Sequence, residues 1–250
     1  MSANLFIDTK EDKELLINNS QTYALKKSFM ITYTLLLTTA TITVIEALRN
    51  QNPSVRHVLN LETAISLIAG YFYSLFIVQV ENIPKKKDFK KDEDYIDNQK
   101  LFWSNITQTR YIDWAITTPL MLITLCLVLS INTKKIIYLK TIASIIFLNY
   151  IMLYIGYLGE TNYLEKISSM IISFIAFFLM YFIIYYNYVR PKYFIENYVL
   201  FFIYLLVWTL YGVVYLFEDE LKNTITNYLD LSSKCLVGIG LWIYYTKIIQ

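Results

Sequence analysis

Residues 110–120 read Arg110-Tyr111-Ile112-Asp113-Trp114-Ala115-Ile116-Thr117-Thr118-Pro119-Leu120. They lie inside an apolar stretch that runs from about 101 to 130, long enough to cross a bilayer, since a spanning helix needs roughly 20 mostly apolar residues. At 3.6 residues per turn, Arg110, Asp113, Thr117, Met121 and Thr124 fall on one stripe of that helix. A cation, an anion, two hydroxyls and a thioether thus follow one another along a single face. Ionisable side chains inside a span are costly and mark function by default. Pro119 sits mid-span, where neighbouring helices can satisfy the backbone groups it frees.

Outward from this stretch the chain repeats the same pattern. Further apolar runs occur near 28–48, 55–80, 136–158, 167–189, 193–217 and 226–249, making seven with 101–130. Of the 250 residues, 56% are hydrophobic and only 17% charged, and the charges cluster between the runs. Ordinary soluble domains carry about a quarter charged residues. The expected fold is an all-α membrane protein, a bundle of seven transmembrane helices over 28–250. Residues 1–27 form an outer tail or a short interfacial helix. The N-terminal stretch holds Asp8, Lys10, Glu11, Asp12, Lys13 and Glu14, too polar for the apolar core of a signal peptide. A net charge of +2 speaks for no nucleic-acid partner. Cys126 and Cys235 fall inside spans and read as free thiols, not a structural disulfide.

Apart from loops and helix ends, the ionisable residues within spans are Glu62, Arg110, Asp113, Asp230 and Lys234. Asp230 and Lys234 stand four apart in the last run, on one face and one turn from each other. A lysine in apolar surroundings serves either as half of a structural ion pair or as the amine that forms a Schiff base with a carbonyl compound. Trp208, Tyr211 and Tyr215 repeat at helical spacing in the sixth run, a pattern that packing alone also produces.

Both motifs together, Arg-Tyr-x-Asp-Trp-x-x-Thr-Thr-Pro-Leu in the third run and Asp-x-x-x-Lys in the seventh, resemble the microbial (type 1) rhodopsin family over nearly the whole chain. The resemblance implies all-trans retinal carried on Lys234 as a Schiff base. It implies Asp113 as primary counterion and proton acceptor, Asp230 as second counterion, and Arg110 beside them. Trp114 and Trp208 resemble the tryptophans that sandwich the polyene. Tyr111, Thr117, Thr118, Met121, Met152, Gly156, Tyr211 and Tyr215 match other pocket positions. Tyr73 resembles the tyrosine that hydrogen-bonds the second counterion. Met121 resembles the residue of green-absorbing members. Two departures stand out. Asn149 replaces the usual aspartate facing Thr118, and Gly212 replaces a common proline, a change expected to act on the hinge of the sixth helix rather than on the pocket.

The resemblance also implies a lipid-embedded, multi-pass protein, a homo-oligomer, with no enzymatic reaction. It places the N-terminus outside and the C-terminus in the cytoplasm. Charge alone argues the other way: twelve Lys/Arg flank the runs on the N-terminal side and eight on the opposite side. Much of that excess sits in the 81–98 loop, mixed with acids. Family members that pump protons carry a carboxylate donor where this chain has Thr124, and threonine cannot supply a proton. Glu62, in the second run, is then either a displaced donor or a gate on a cation path, with Thr34, Thr38 and Thr41 of the first run lining the same path. The Asp113–Thr117–Thr124 set with Glu62 resembles the group 1 viral rhodopsins. The expected function is a light-gated cation channel, with an outward proton pump and a sensory photoreceptor as the alternatives.

Overall fold

The computed structural model describes residues 10–245. It contains seven helical rods: α1 (Lys10–Arg49), α2 (Pro53–Glu81), α3 (Asp92–Thr133), α4 (Leu139–Glu160), α5 (Lys166–Ile184), α6 (Ile195–Val214), and a seventh rod made of α7 (Asp219–Asp230), a π turn (Leu231–Leu236) and α8 (Val237–Ile243). A second π turn, Tyr185–Val189, continues α5. Each rod packs on the next, and the seventh closes the ring against α1. The first six are long and apolar enough to cross a membrane. The seventh carries Asp230, Lys234 and the π turn.

Local chemistry sets the ends of several rods. Asn52 caps α2, its side-chain oxygen accepting from the Ser54 amide at 3.0 Å, with Pro53 at the first helical position. α3 stops where Lys134 turns left-handed at φ 55°, and the Lys134 and Lys135 amides then reach back to the Ile131 and Ser130 carbonyls. Pro119 removes one donor inside α3, which leaves the Ala115 carbonyl without its helical partner. The Tyr150 hydroxyl of α4 donates to that oxygen at 3.2 Å.

Two boundaries differ from the sequence expectation. α1 is helical from Lys10, continuous with its span; residues 1–9 lie outside the described residues. The 81–98 loop is shorter than expected, because α3 already begins at Asp92. Asp92, Glu93 and Asp94 occupy its first turn, where the helix dipole favours negative charge. Cys126 and Cys235 are both buried and free.

The bundle interior has two unlike halves. Between α3, α4, α5 and α6 the core is apolar and aromatic, built on Leu122, Leu125, Ile145, Phe177, Met180, Tyr181, Phe201 and Trp208. Between α1, α2 and the seventh rod, buried polar side chains interrupt the apolar ones: Ser28, Thr32, Thr39, Thr43, Glu62, Thr63, Ser66 and Asn227.

The threonine register of α1 corrects the expectation. Thr34, Thr38 and Thr41 are exposed on the outer surface, each hydroxyl donating to the carbonyl four residues earlier. In hydrocarbon such a bond satisfies the hydroxyl, so a threonine there needs no interior partner. The hydroxyls that turn inward belong to Thr32, Thr39 and Thr43.

Candidate chromophore site

The stripe on α3 turns inward along its whole length. Arg110, Asp113, Thr117, Met121 and Thr124 are all buried. Lys234 approaches from the π turn of the seventh rod, 1% exposed. A π turn widens the helix locally, and such turns gather at functional sites. Here it puts Lys234 Nζ 2.9 Å from Asp113 Oδ2 and 3.5 Å from Asp230 Oδ2.

The two carboxylates have different surroundings. Asp230 accepts from the Tyr73 hydroxyl at 2.8 Å and the Tyr211 hydroxyl at 2.7 Å, and lies 3.6 Å from Arg110 Nη1. Asp113 faces Lys234, and otherwise accepts one longer bond, from the Thr117 hydroxyl at 3.3 Å. Two anions and two cations thus balance within one buried cluster, as removal of charges from water demands.

Arg110 is directed at the seventh rod. Its Nε and Nη2 donate to Asn223 Oδ1 at 3.2 and 2.9 Å, and Nη2 also donates to Asn227 Oδ1 at 2.9 Å. The guanidinium lies against the rings of Phe76, Phe29 and Trp114, 4.8–5.9 Å from their centroids. Sequence reading missed Asn223, Asn227 and Ser233. Neutral polar residues in a span give little signal, and their importance comes only from the charges they touch.

From Lys234 a cavity of about 1050 Å³, its mouth included, extends between α3, α4, α5 and α6. Most sequence-selected pocket residues meet there: Tyr111, Trp114, Thr118, Met121, Met152, Gly156, Trp208, Tyr211 and Tyr215 all line it. Leu153, Phe174 and Phe177 complete the apolar wall. Tyr73, Thr117 and Asn149 stand behind the lining. Asn149 donates to Thr118 Oγ1 at 2.8 Å, so the departure from aspartate keeps the hydrogen bond. Gly212 does line the cavity, and a Cβ there would collide with the Phe174 ring. This corrects the expectation that it acts on the hinge alone: its missing side chain shapes the wall. An apolar chamber with an amine at one end and carboxylates beside that amine fits an apolar polyene with one carbonyl. The free Lys234 Nζ stands where the nitrogen of the linked chromophore would be.

Thr124 and Glu62 lie apart from this cluster. Thr124 donates to its own helix at Leu120 O, 3.0 Å away. Glu62 is 2% exposed, one turn beyond Lys234 on the side away from Arg110. Its carboxyl packs so closely on Gly238 that a Cβ there would be 2.9 Å from Oε2 and 3.2 Å from a methyl of Thr39. Among the described residues its Oε1 has no hydrogen-bond partner.

Comparison with known proteins agrees with this geometry. The profile of the family described as Bacteriorhodopsin-like protein matches residues 24–248. No curated protein sequence matches the chain. The crystal structure of viral rhodopsin OLPVRII is similar at 38% identity and a TM-score of 0.78, over 90% of this chain and 99% of that one. Acetabularia Rhodopsin I shares the fold at 18% identity and a TM-score of 0.71, covering 91% and 96% of the two chains. The proton pumping rhodopsin AR2 from the marine alga Acetabularia acetabulum does so at 18% and 0.67, covering 90% and 96%. With a matched profile over nearly its full length and seven rods closed around a buried lysine, the chain belongs to the bacteriorhodopsin-like family, the microbial rhodopsins.

Proposed function

We propose that this rhodopsin is a light-gated cation channel whose path runs between α1, α2 and the seventh rod. The observation that carries this reading is the placement of buried polar groups. Glu62, with one unpartnered carboxyl oxygen, stands in that half of the bundle with Thr39, Thr43, Thr63 and Ser66. Acidic side chains on a pore select cations. The Thr43 and Thr63 hydroxyls meet at 2.8 Å, joining α1 to α2 beside Glu62, a contact that must open for an ion to pass.

Bound to Lys234 as a protonated Schiff base, all-trans retinal would supply the absorption of light and the isomerisation that follows. The chain's own residues do the rest. Trp114 and Trp208 confine the chamber. Asp230, held by two tyrosine hydroxyls and Arg110, is the fixed negative charge. Asp113 Oδ2, 2.9 Å from Lys234 Nζ, is placed to take a proton from the nitrogen at that position. Thr117, on the next turn, orients the Asp113 carboxyl. Loss of charge on Asp113 unbalances a buried cluster, and that imbalance drives the rearrangement of the seventh rod against α1 and α2. The N-terminus is outside, so Arg110 faces the exterior and Glu62 the cytoplasm. Transported cations and the lipid bilayer are the partners, and the protein assembles as a homo-oligomer.

A second reading, an outward proton pump, is favoured by the same acceptor at Asp113 and by Glu62 as a donor on the far side of Lys234. Thr124 cannot be that donor. Photocurrent under voltage clamp, in cells supplied with all-trans retinal, decides between them. A current that reverses with the cation gradient supports the channel. A current that stays outward at all voltages overturns it in favour of the pump. Pigment without current leaves a sensory role.

A further inference from the structure

We propose that Asn227 is a positioning residue that holds the Arg110 guanidinium beside Asp230 and ties it to α1. Asn227 is fully buried and uses every polar atom of its side chain. Its Oδ1 accepts from Arg110 Nη2 at 2.9 Å and from the Tyr73 hydroxyl at 3.1 Å. Its Nδ2 donates to Ser28 Oγ at 2.9 Å. Its backbone carbonyl accepts from the Thr32 hydroxyl at 3.0 Å. One carboxamide thus joins α1, α2, α3 and the seventh rod around a single cation.

The geometry gives this node a direction. Arg110 points its donors at Asn223, Asn227 and Asp230, all on the seventh rod, while Asp113 on its own helix is left to Lys234. A charged donor with a neutral acceptor makes one of the stronger hydrogen bonds. Without Asn227 the guanidinium loses one of its three polar partners, and Tyr73 loses one of two. Ser28 Oγ also donates to Leu25 O at 2.7 Å, so the strut from α1 is itself held in place. The charged and titratable groups that face Asp113 and Arg110 are Tyr73 on α2, Tyr211 on α6, and Asp230 and Lys234 on the seventh rod. Glu160 and Lys222, paired at 2.7 Å, line the same cavity.

The Arg110 cation favours the charged form of Asp113, so loosening it lets Asp113 hold a proton to higher pH. The proposal rests on the retinal-site reading but not on the choice between channel and pump. It is tested by titrating the visible band of the full-length pigment, reconstituted with all-trans retinal, in the dark. Asn227→Leu is expected to move the midpoint of the colour change upward by about one pH unit, the scale of one charged hydrogen bond. In an Arg110→Gln background the same substitution is expected to move it little, because the node acts through Arg110. Equal shifts in both backgrounds mean that Asn227 only supports the fold, and overturn the proposal. Ser28→Ala removes only the strut and is expected to give a smaller shift in the same direction. If Asn227→Leu forms no pigment, Ser28→Ala decides, and an unmoved midpoint there overturns the proposal. A native pigment with no colour transition breaks the counterion reading, and the proposal with it. A transition that ignores Asn227 and Ser28 breaks the proposal alone.

Discussion

The two halves of the bundle interior use burial differently. On the α3–α6 side, aromatic and aliphatic side chains enclose a chamber next to Lys234. On the side of α1, α2 and the seventh rod, hydroxyls, carboxamides and one carboxyl are buried against one another. Hydropathy alone does not separate the two halves, since rods on both sides, α1 and α2 as well as α3 to α6, are apolar enough to cross a membrane. On the function proposed above, the difference is a division of work: the apolar half would hold and shape the chromophore, and the polar half would let charge pass. The Asp113–Lys234–Asp230–Arg110 cluster sits on the border, so a change in its charge acts on both.

Experiments that separate the halves can break this comparison or sharpen it. The largest effect is expected for Lys234→Ala, which removes the amine that stands beside Asp113 and Asp230 at the border of the apolar chamber. It is expected to give a colourless protein in the presence of retinal, by absorbance, and a coloured variant would move the attachment site. Next comes Asp113→Asn. It deletes one partner of a buried pair, at a cost of roughly 3–5 kcal/mol where the remaining charge is uncompensated. The visible band is expected to shift red and to lose its colour change with pH. An unmoved spectrum would remove Asp113 from the counterion role.

Phe177→Ala tests the apolar half alone. Phe177 is 2% exposed, and its truncation is expected to destabilise the protein by about 3 kcal/mol, read as a lower thermal bleaching temperature, with ion selectivity unchanged. Glu62→Gln tests the polar half alone. It is expected to lower cation photocurrent about tenfold, the effect of roughly 1.4 kcal/mol on a barrier, with the absorption maximum nearly unmoved. A shifted spectrum with intact current would reverse the assignment of the halves. The smallest effect belongs to Thr63→Val, which cuts the Thr43–Thr63 contact. About 0.6 kcal/mol is typical of such a bond between membrane helices, enough to speed or slow closing of the photocurrent after the light is turned off.

The residues that carried the reading are few. Asp113, Arg110, Asp230 and Lys234 were legible because ionised groups inside apolar runs have no cheap explanation. Their spacing on two helices predicted a shared face, and Lys234 Nζ does meet both carboxylates. The aromatic wall was legible in part: Trp208, Tyr211 and Tyr215 line the chamber, but so does Phe177, whose surroundings in sequence are apolar throughout. Gly212 was assigned to a hinge, and its role in the wall appears only once Phe174 is seen to fill the space beside it.

By itself, the sequence determined the number of rods, their apolar character and the charged cluster, because each follows from spacing along one helix. Only the tertiary structure decided which stripe of α1 faces inward. Thr34, Thr38 and Thr41 and the inward Thr32, Thr39 and Thr43 look alike in a helix whose two faces are both apolar, and a back-bonded threonine is as comfortable in lipid as in the core. The same holds for Asn227. Its partners, Ser28, Tyr73 and Arg110, lie on three other helices and far away in the chain, and a hydrogen bond between helices leaves no period in the sequence to read.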